Sequence, residues 1–151
     1  MPLLASFSYG KDKTMKHKLF VLISLAALFL STCGASPLAS DPLNGTSWEL
    51  FAISKHRPLD GTTITLSFED GQASGSSGCN SYGGAYQVIG EEVKFQDLES
   101  TVMACLEPAG VMGQESTYLG SLGEAQRFEL SDGQLLIYWS EHEALTFIPV
   151  E

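Results

Sequence analysis

Short runs of alternating apolar and polar residues, separated by turns built on glycine, recur from residue 47 to residue 148 and constrain the fold more than any other feature. Residues 47–53 put Trp48, Leu50 and Ala52 on one face and Glu49, Phe51 and Ile53 on the other. Residues 62–68 alternate more strictly, with Ile64, Leu66 and Phe68 against Thr63, Thr65 and Ser67. A period of two with β-branched and aromatic residues marks a strand with one buried face. Glu69-Asp70-Gly71-Gln72 turns the chain into a small-residue strand over 73–79, and strands at 82–88 and 92–95 flank Ile89-Gly90-Glu91. Strands at 126–130 and 134–139 flank Ser131-Asp132-Gly133, where Asp-Gly between apolar runs signals a hairpin. A last strand, 145–148, follows Glu141-His142-Glu143.

One segment breaks the period. Val111, Met112, Glu115, Tyr118, Leu119 and Leu122 recur at helical spacing within 108–122, with Pro108 suited to the first turn, Glu107 to the positive end and Gly123 to the stop. Gly110, Gly113 and Gly120 each weaken this helix by about 1 kcal/mol relative to Ala, so packing must hold it. Short strands with one intervening helix predict a mainly-β (α+β) domain, a small antiparallel curved sheet or cracked barrel with one packed α-helix. The small residues from Gly75 to Gly84 are expected to permit close backbone approach or a bulge.

Ahead of this pattern, Met15-Lys16-His17-Lys18 leads into an apolar run from Leu19 to Leu30 and a small-residue exit. A basic start, a short apolar core and such an exit make a secretory signal over 15–32. The run is too short to span a bilayer, which takes about 20 apolar residues. Residues 1–14 fit neither signal nor domain, so they read as a mis-assigned start or an extended n-region. Leu30-Ser31-Thr32-Cys33 resembles the lipobox of bacterial lipoproteins, with Thr32 where Gly, Ala or Ser is usual. That resemblance implies acylation of Cys33, attachment to the membrane through an N-terminal lipid, and, with Gly34 next, an outer-membrane lipoprotein facing the periplasm. Ordinary cleavage near Ala35 or Ala39 would instead release a soluble periplasmic or secreted protein. Residues 33–42 read as a tether.

Charge follows the same division. The whole chain of 151 residues carries −10, yet from residue 33 onward 4 Lys and Arg stand against 17 Asp and Glu, a net charge of −13. A domain so acidic lacks the basic footprint of a nucleic-acid partner. With Cys33 assigned to the anchor, Cys79 and Cys105 remain, an even count that in an exported chain reads as a disulfide, or else as two buried thiols. His56 and His142 have no metal-ligand spacing to either Cys, so no metal is expected. Gly75 to Gly84 lacks the Gly-Lys-Ser/Thr end of a phosphate loop, and no Gly-x-Ser-x-Gly elbow occurs. The acidic pairs fall in turns. A hydrolase using Ser76, Ser77 or His142 would need a constellation that the sequence does not announce. No catalytic residue and no cofactor is expected.

Four blocks carry a more specific likeness: Leu43-Asn44-Gly45-Thr46-Ser47-Trp48, Leu66-Ser67-Phe68, Gly78-Cys79-Asn80-Ser81-Tyr82-Gly83-Gly84-Ala85-Tyr86 and Ser100-Thr101-Val102-Met103-Ala104-Cys105. Together with Glu115, Leu119 and Leu122 and the strand Leu135 to Tyr138, they resemble the META domain family and its HslJ-like heat-shock lipoproteins, over 43–151. The resemblance implies a compact β-rich fold with a helix, no enzymatic activity, and an association with stress in the cell envelope. It carries the family's two cysteines onto Cys79 and Cys105 and its motif positions onto Gly78, Asn80, Thr101 and Met103. The expected function is a non-enzymatic envelope lipoprotein, a monomer, that binds an envelope protein. The alternative is carriage of a lipid or other hydrophobic ligand in a barrel lined by Trp48, Phe68, Tyr86 and Phe147.

Overall fold

A computed structural model describes residues 41–150. Cys33, expected as the anchor, and the segments expected as the signal and most of the tether lie outside the described residues. Eight antiparallel strands close into a barrel in sequence order: β1 (Thr46–Ile53), β2 (Thr65–Glu69), β3 (Gln72–Ser76), β4 (Ser81–Ile89), β5 (Glu92–Ser100), β6 (Arg127–Ser131), β7 (Gln134–Tyr138) and β8 (Ala144–Pro149). One helix, α1 (Val111–Gly123), joins β5 to β6. The sheet is therefore closed, the barrel form of the expected fold, through the β1–β8 pairing of Glu49 with Ile148 and Leu50 with Phe147.

Alternation decides which residues face inward. Trp48, Leu50, Ala52, Leu66, Phe68, Val93, Phe95, Leu135, Ile137, Leu145 and Phe147 are all buried, while the residues that alternate between them are half-buried or exposed. Burying a large side chain of this kind contributes about 1.5–3 kcal/mol, so a slip of one residue in register would expose the whole set. Aromatic edges set the interior: Phe68 meets Tyr86 edge-on at 4.7 Å between centroids, and Tyr118 of α1 meets both Tyr82 and Phe147. Tyr82 Oη donates to the Thr65 carbonyl, which leaves Tyr118 Oη to donate to Tyr82 across 2.6 Å. Burial pushes both phenols up.

Asp70-Gly71 and Asp132-Gly133 form two-residue turns with φ of 48° and 77°, and 53° and 75°. Both central residues are left-handed, the conformation whose twist matches a hairpin. Two other glycines are required by space. A Cβ on Gly75 would lie 2.0 Å from the Thr65 carbonyl oxygen, and one on Gly84 would lie 2.7 Å from that of Gln96, where β4 and β5 shift register.

Three expectations change. Pro108 does not open the helix: it follows a cis bond from Glu107 and precedes a left-handed Gly110 that serves as N-cap to Val111. The strand expected at 92–95 continues to Ser100, because β4 pairs with it as far as Tyr82–Ser100. The last residues of the tether are not free either. Asp41 accepts the Leu43 N–H on one carboxylate oxygen and the Tyr86 hydroxyl on the other, and Leu43 is fully buried.

Closure is uneven. Pairing between β5 and β6 consists of Glu92 with Arg127, with one backbone bond on either side, from Val93 N to Gln126 O and from Phe128 N to Glu91 O. Elsewhere in the barrel each ladder runs through three to seven residue pairs. The helix lays Val111, Tyr118 and Leu122 into the core beside β5 and β8.

Candidate functional site

The two-residue turns at Asp70-Gly71, Gly90-Glu91 and Asp132-Gly133 share one end of the barrel with the entry of the chain at Asp41. The opposite end carries the long connections, residues 54–64, 77–80, 101–110 and 139–143. Loops of this sort cannot satisfy their polar groups through a ladder, and buried polar groups must then be paired by side chains.

Here that task falls to Asn80 and Glu115. Glu115 extends from the buried face of α1 and is 6% exposed. Its carboxylate accepts the Ser77 hydroxyl at 2.5 Å, the Asn80 backbone N–H at 2.9 Å and the Asn80 side-chain amide at 2.7 Å. Burial alone would raise this carboxyl, but the bonds from Ser77, Asn80 and the Cys79 backbone N–H together hold it below the ordinary carboxylate value. The other half of Asn80 faces the next loop. Its Oδ1 accepts the Thr101 hydroxyl and the Met103 N–H, both at 2.7 Å, and its Nδ2 donates to the Met103 carbonyl at 3.1 Å. Asn80 thus joins loop 77–80, loop 101–110 and α1. A disulfide between Cys79 and Cys105, with Cα atoms 6.0 Å apart, closes the same junction covalently.

The expected motif residues therefore come together. Gly78, at φ 105°, lets the chain turn beneath Gln114, Ile64 and Thr62. Cys79 and Cys105 are bonded, and Asn80, Thr101 and Met103 form one network. Sequence reasoning did not assign Glu115 a role, although a lone carboxylate within the apolar stripe of a helix was the signal available. The four possible lining residues lie elsewhere. Trp48, Phe68, Tyr86 and Phe147 belong to one continuous core, with Phe68 against both Tyr86 and Phe95 and with Trp48 Nε1 donating to Thr46 Oγ1. Ser77 is buried on Glu115, Ser76 accepts the Gly78 N–H, and His142 sits exposed beside Glu141. No group of three or more His, Cys, Asp or Glu with metal-binding geometry occurs among the described residues.

What the network presents is apolar. Val102 is 97% exposed, Leu106 85% and Met103 56%, on a segment that belongs to no strand or helix. Its backbone is held at Met103 by Asn80 and at Cys105 by the disulfide, so three large apolar side chains project from a fixed support. A disulfide of this kind is a feature of chains that fold outside the reducing cytoplasm. No helix among the described residues is long and apolar enough to cross a membrane.

Comparison with known proteins agrees with the fold. An NMR structure of a protein from Burkholderia xenovorans is 28% identical, superposes with a TM-score of 0.59, and is matched over 75% of this chain and 92% of that one. A second protein solved by NMR is 24% identical, with a TM-score of 0.57, over 70% and 90% of the two chains. A crystal structure of a DUF4847 family protein from Bacteroides vulgatus shares the fold at 13% identity, with a TM-score of 0.52, over 71% and 94%. No curated protein matches the sequence significantly. The META domain model matches residues 41–151, which spans every strand, the helix and the Asn80 network, and the chain belongs to the META domain family.

Proposed function

We propose that this protein is a non-enzymatic binding module of the bacterial cell envelope, tethered through acylated Cys33, whose loop 101–110 docks an envelope protein under stress. The observation that carries the reading is the exposure of Val102, Met103 and Leu106 on a loop held in place by Asn80 and the disulfide. Exposed apolar side chains cost solubility and serve recognition, and fixing them beforehand reduces the entropy lost on binding. The tether supports the same orientation. The chain enters the barrel at the end with the short turns, and the eight residues of β1 span about 25 Å, so the binding loop faces away from the anchored end.

A photo-crosslinking residue at position 102 or 106 tests this in intact cells. Discrete protein adducts are expected from both positions and not from position 132; equal labelling from all three, or none, overturns the docking loop. Cys33→Ala should shift the protein from the membrane to the soluble fraction and change its mass. Unchanged mass and fractionation would remove the lipid anchor. A lipid retained in native mass spectrometry would favour carriage of a hydrophobic ligand instead.

A further inference from the structure

Two of the four cationic residues in the described domain are stacked on aromatic rings. The Arg57 guanidinium carbon lies 4.0 Å from the centre of the Phe51 ring, and that of Arg127 lies 3.5 Å from the centre of Tyr138. Stacking fixes the plane of a guanidinium and leaves its N–H groups pointing outward in that plane, arranged to fork onto a carboxylate. Among the described residues neither arginine forms an ion pair.

Their surroundings differ. Arg127 borders a cleft that also contains Glu91 and Glu129, so a carboxylate entering there would meet two acids. Arg57 borders a cleft of about 270 Å³ between the 54–62 loop and the flank of α1, lined by Ile53, His56, Leu59, Gln114 and Thr117, without an acidic group. Across Arg57 a second cleft holds Glu49 and Asp60, neither of which reaches it as an ion pair. In a domain of net charge −13, an acid-free cleft bordered by Arg57 and His56 is a local reversal of sign.

The cleft is also built to keep its shape. Leu59 N donates to Gln114 Oε1 at 2.6 Å, and Gln114 Nε2 donates to Thr62 Oγ1 at 3.0 Å. Gln114 is therefore engaged with the wall and Thr117 Oγ1 donates to the Gly113 carbonyl, which leaves Arg57 and His56 as the side-chain donors for recognition. The volume falls below the roughly 300–1,000 Å³ of small-molecule sites and suits the end of a chain better than a whole ligand. Gly110 lines this cleft and closes the 101–110 loop, so the two features are continuous.

We propose that this cleft captures the C-terminal carboxylate of the partner polypeptide, with Arg57 forking onto the carboxylate and Ile53, Leu59 and the flank of α1 receiving the last apolar side chain. The assignment rests on the reading of loop 101–110 as a docking loop and supplies the chemistry of its partner.

Titration of the isotopically labelled full-length protein with N-acetyl-Ala-Ala-Leu, as the free acid and as the carboxamide, tests it. The free acid is expected to shift the amide resonances of His56, Leu59 and Gln114, to weaken with added salt, and to bind about tenfold tighter than the carboxamide. Arg57→Gln should erase that difference and Arg127→Gln should preserve it. Equal binding of acid and carboxamide, or no shift at these residues at millimolar peptide, overturns the proposal. Binding of decanoate in place of the peptide also overturns it and points to a lipid carboxylate. Failure of the peptides with crosslinks from position 102 intact removes the carboxylate site alone; peptide binding without crosslinks removes the docking loop alone.

Discussion

The two ends of this barrel solve the same problem, returning the chain to the sheet, by opposite means. At one end, two-residue turns with left-handed Asp and Gly do it with local backbone conformation alone. At the other, the loops at 77–80 and 101–110 need a buried carboxylate, a bridging asparagine and a disulfide. Local turns leave little for a partner to grip. Loops ordered by side chains can hold apolar residues almost fully in the open, as at Val102 and Leu106.

Substitutions should expose this asymmetry. The largest effect is expected from Glu115→Ala, which leaves the Asn80 backbone N–H and one hydrogen of its side-chain amide buried without a partner, while the Ser77 hydroxyl keeps only the Asn80 carbonyl. A loss of about 3–5 kcal/mol should follow, read as a fall in melting temperature of roughly 15 °C or more. The pH dependence has a definite sign. The folded Glu115 carboxyl is held below its unfolded value near 4.5, so its contribution is complete above that value and is lost as pH falls through the lower folded one. Urea midpoints of wild type and Glu115→Gln should therefore differ most at neutral pH and converge as the pH falls below the ordinary carboxylate range. A constant gap would show that the carboxylate charge is irrelevant.

Next in size, replacing Cys79 and Cys105 by Ser should cost about 3 kcal/mol, because the bridge closes a span of 26 residues. Amide exchange should accelerate in 101–110 and not in the turns at 70–71 or 132–133. At the other end, Gly133→Ala should cost only about 1 kcal/mol in chemical denaturation, through its left-handed φ. The smallest effect is expected from Val102→Ser with Leu106→Ser: stability within about 0.5 kcal/mol of wild type, with partner crosslinking lost. A large loss of stability there would mean that these side chains support the fold instead of displaying it.

The same asymmetry governs what the sequence discloses. Strand faces were legible because alternation is a local pattern that the barrel reads directly: Trp48, Leu50, Ile64, Leu66 and Phe68 point inward as expected. The Asp-Gly hairpins were legible for the same reason. The loop end was legible only as a set of motif residues. Asn80, Thr101 and Met103 were picked out, but Thr101 and Met103 meet on Asn80 and Asn80 meets Glu115 across 35 residues of chain, and no period connects them. Nor does composition reveal that Val102 and Leu106 face solvent, since they are as apolar as the core. The length of β5 was missed because its second half, from Gln96 to Ser100, is polar and bulged, and its pairing with β4 is a tertiary fact. Arg57 and His56 were single residues in a loop until the fold set them against α1.

The clamp on Asp41 bears on mechanics. Chain entering there passes into β1, which is hydrogen-bonded along both edges, to β2 and to β8. A pull on the preceding segment therefore loads two ladders along the strand axis, in shear, so that many bonds resist together instead of opening one after another. A domain held in this way can take load through the chain at Asp41 while the loops at its far end keep their shape.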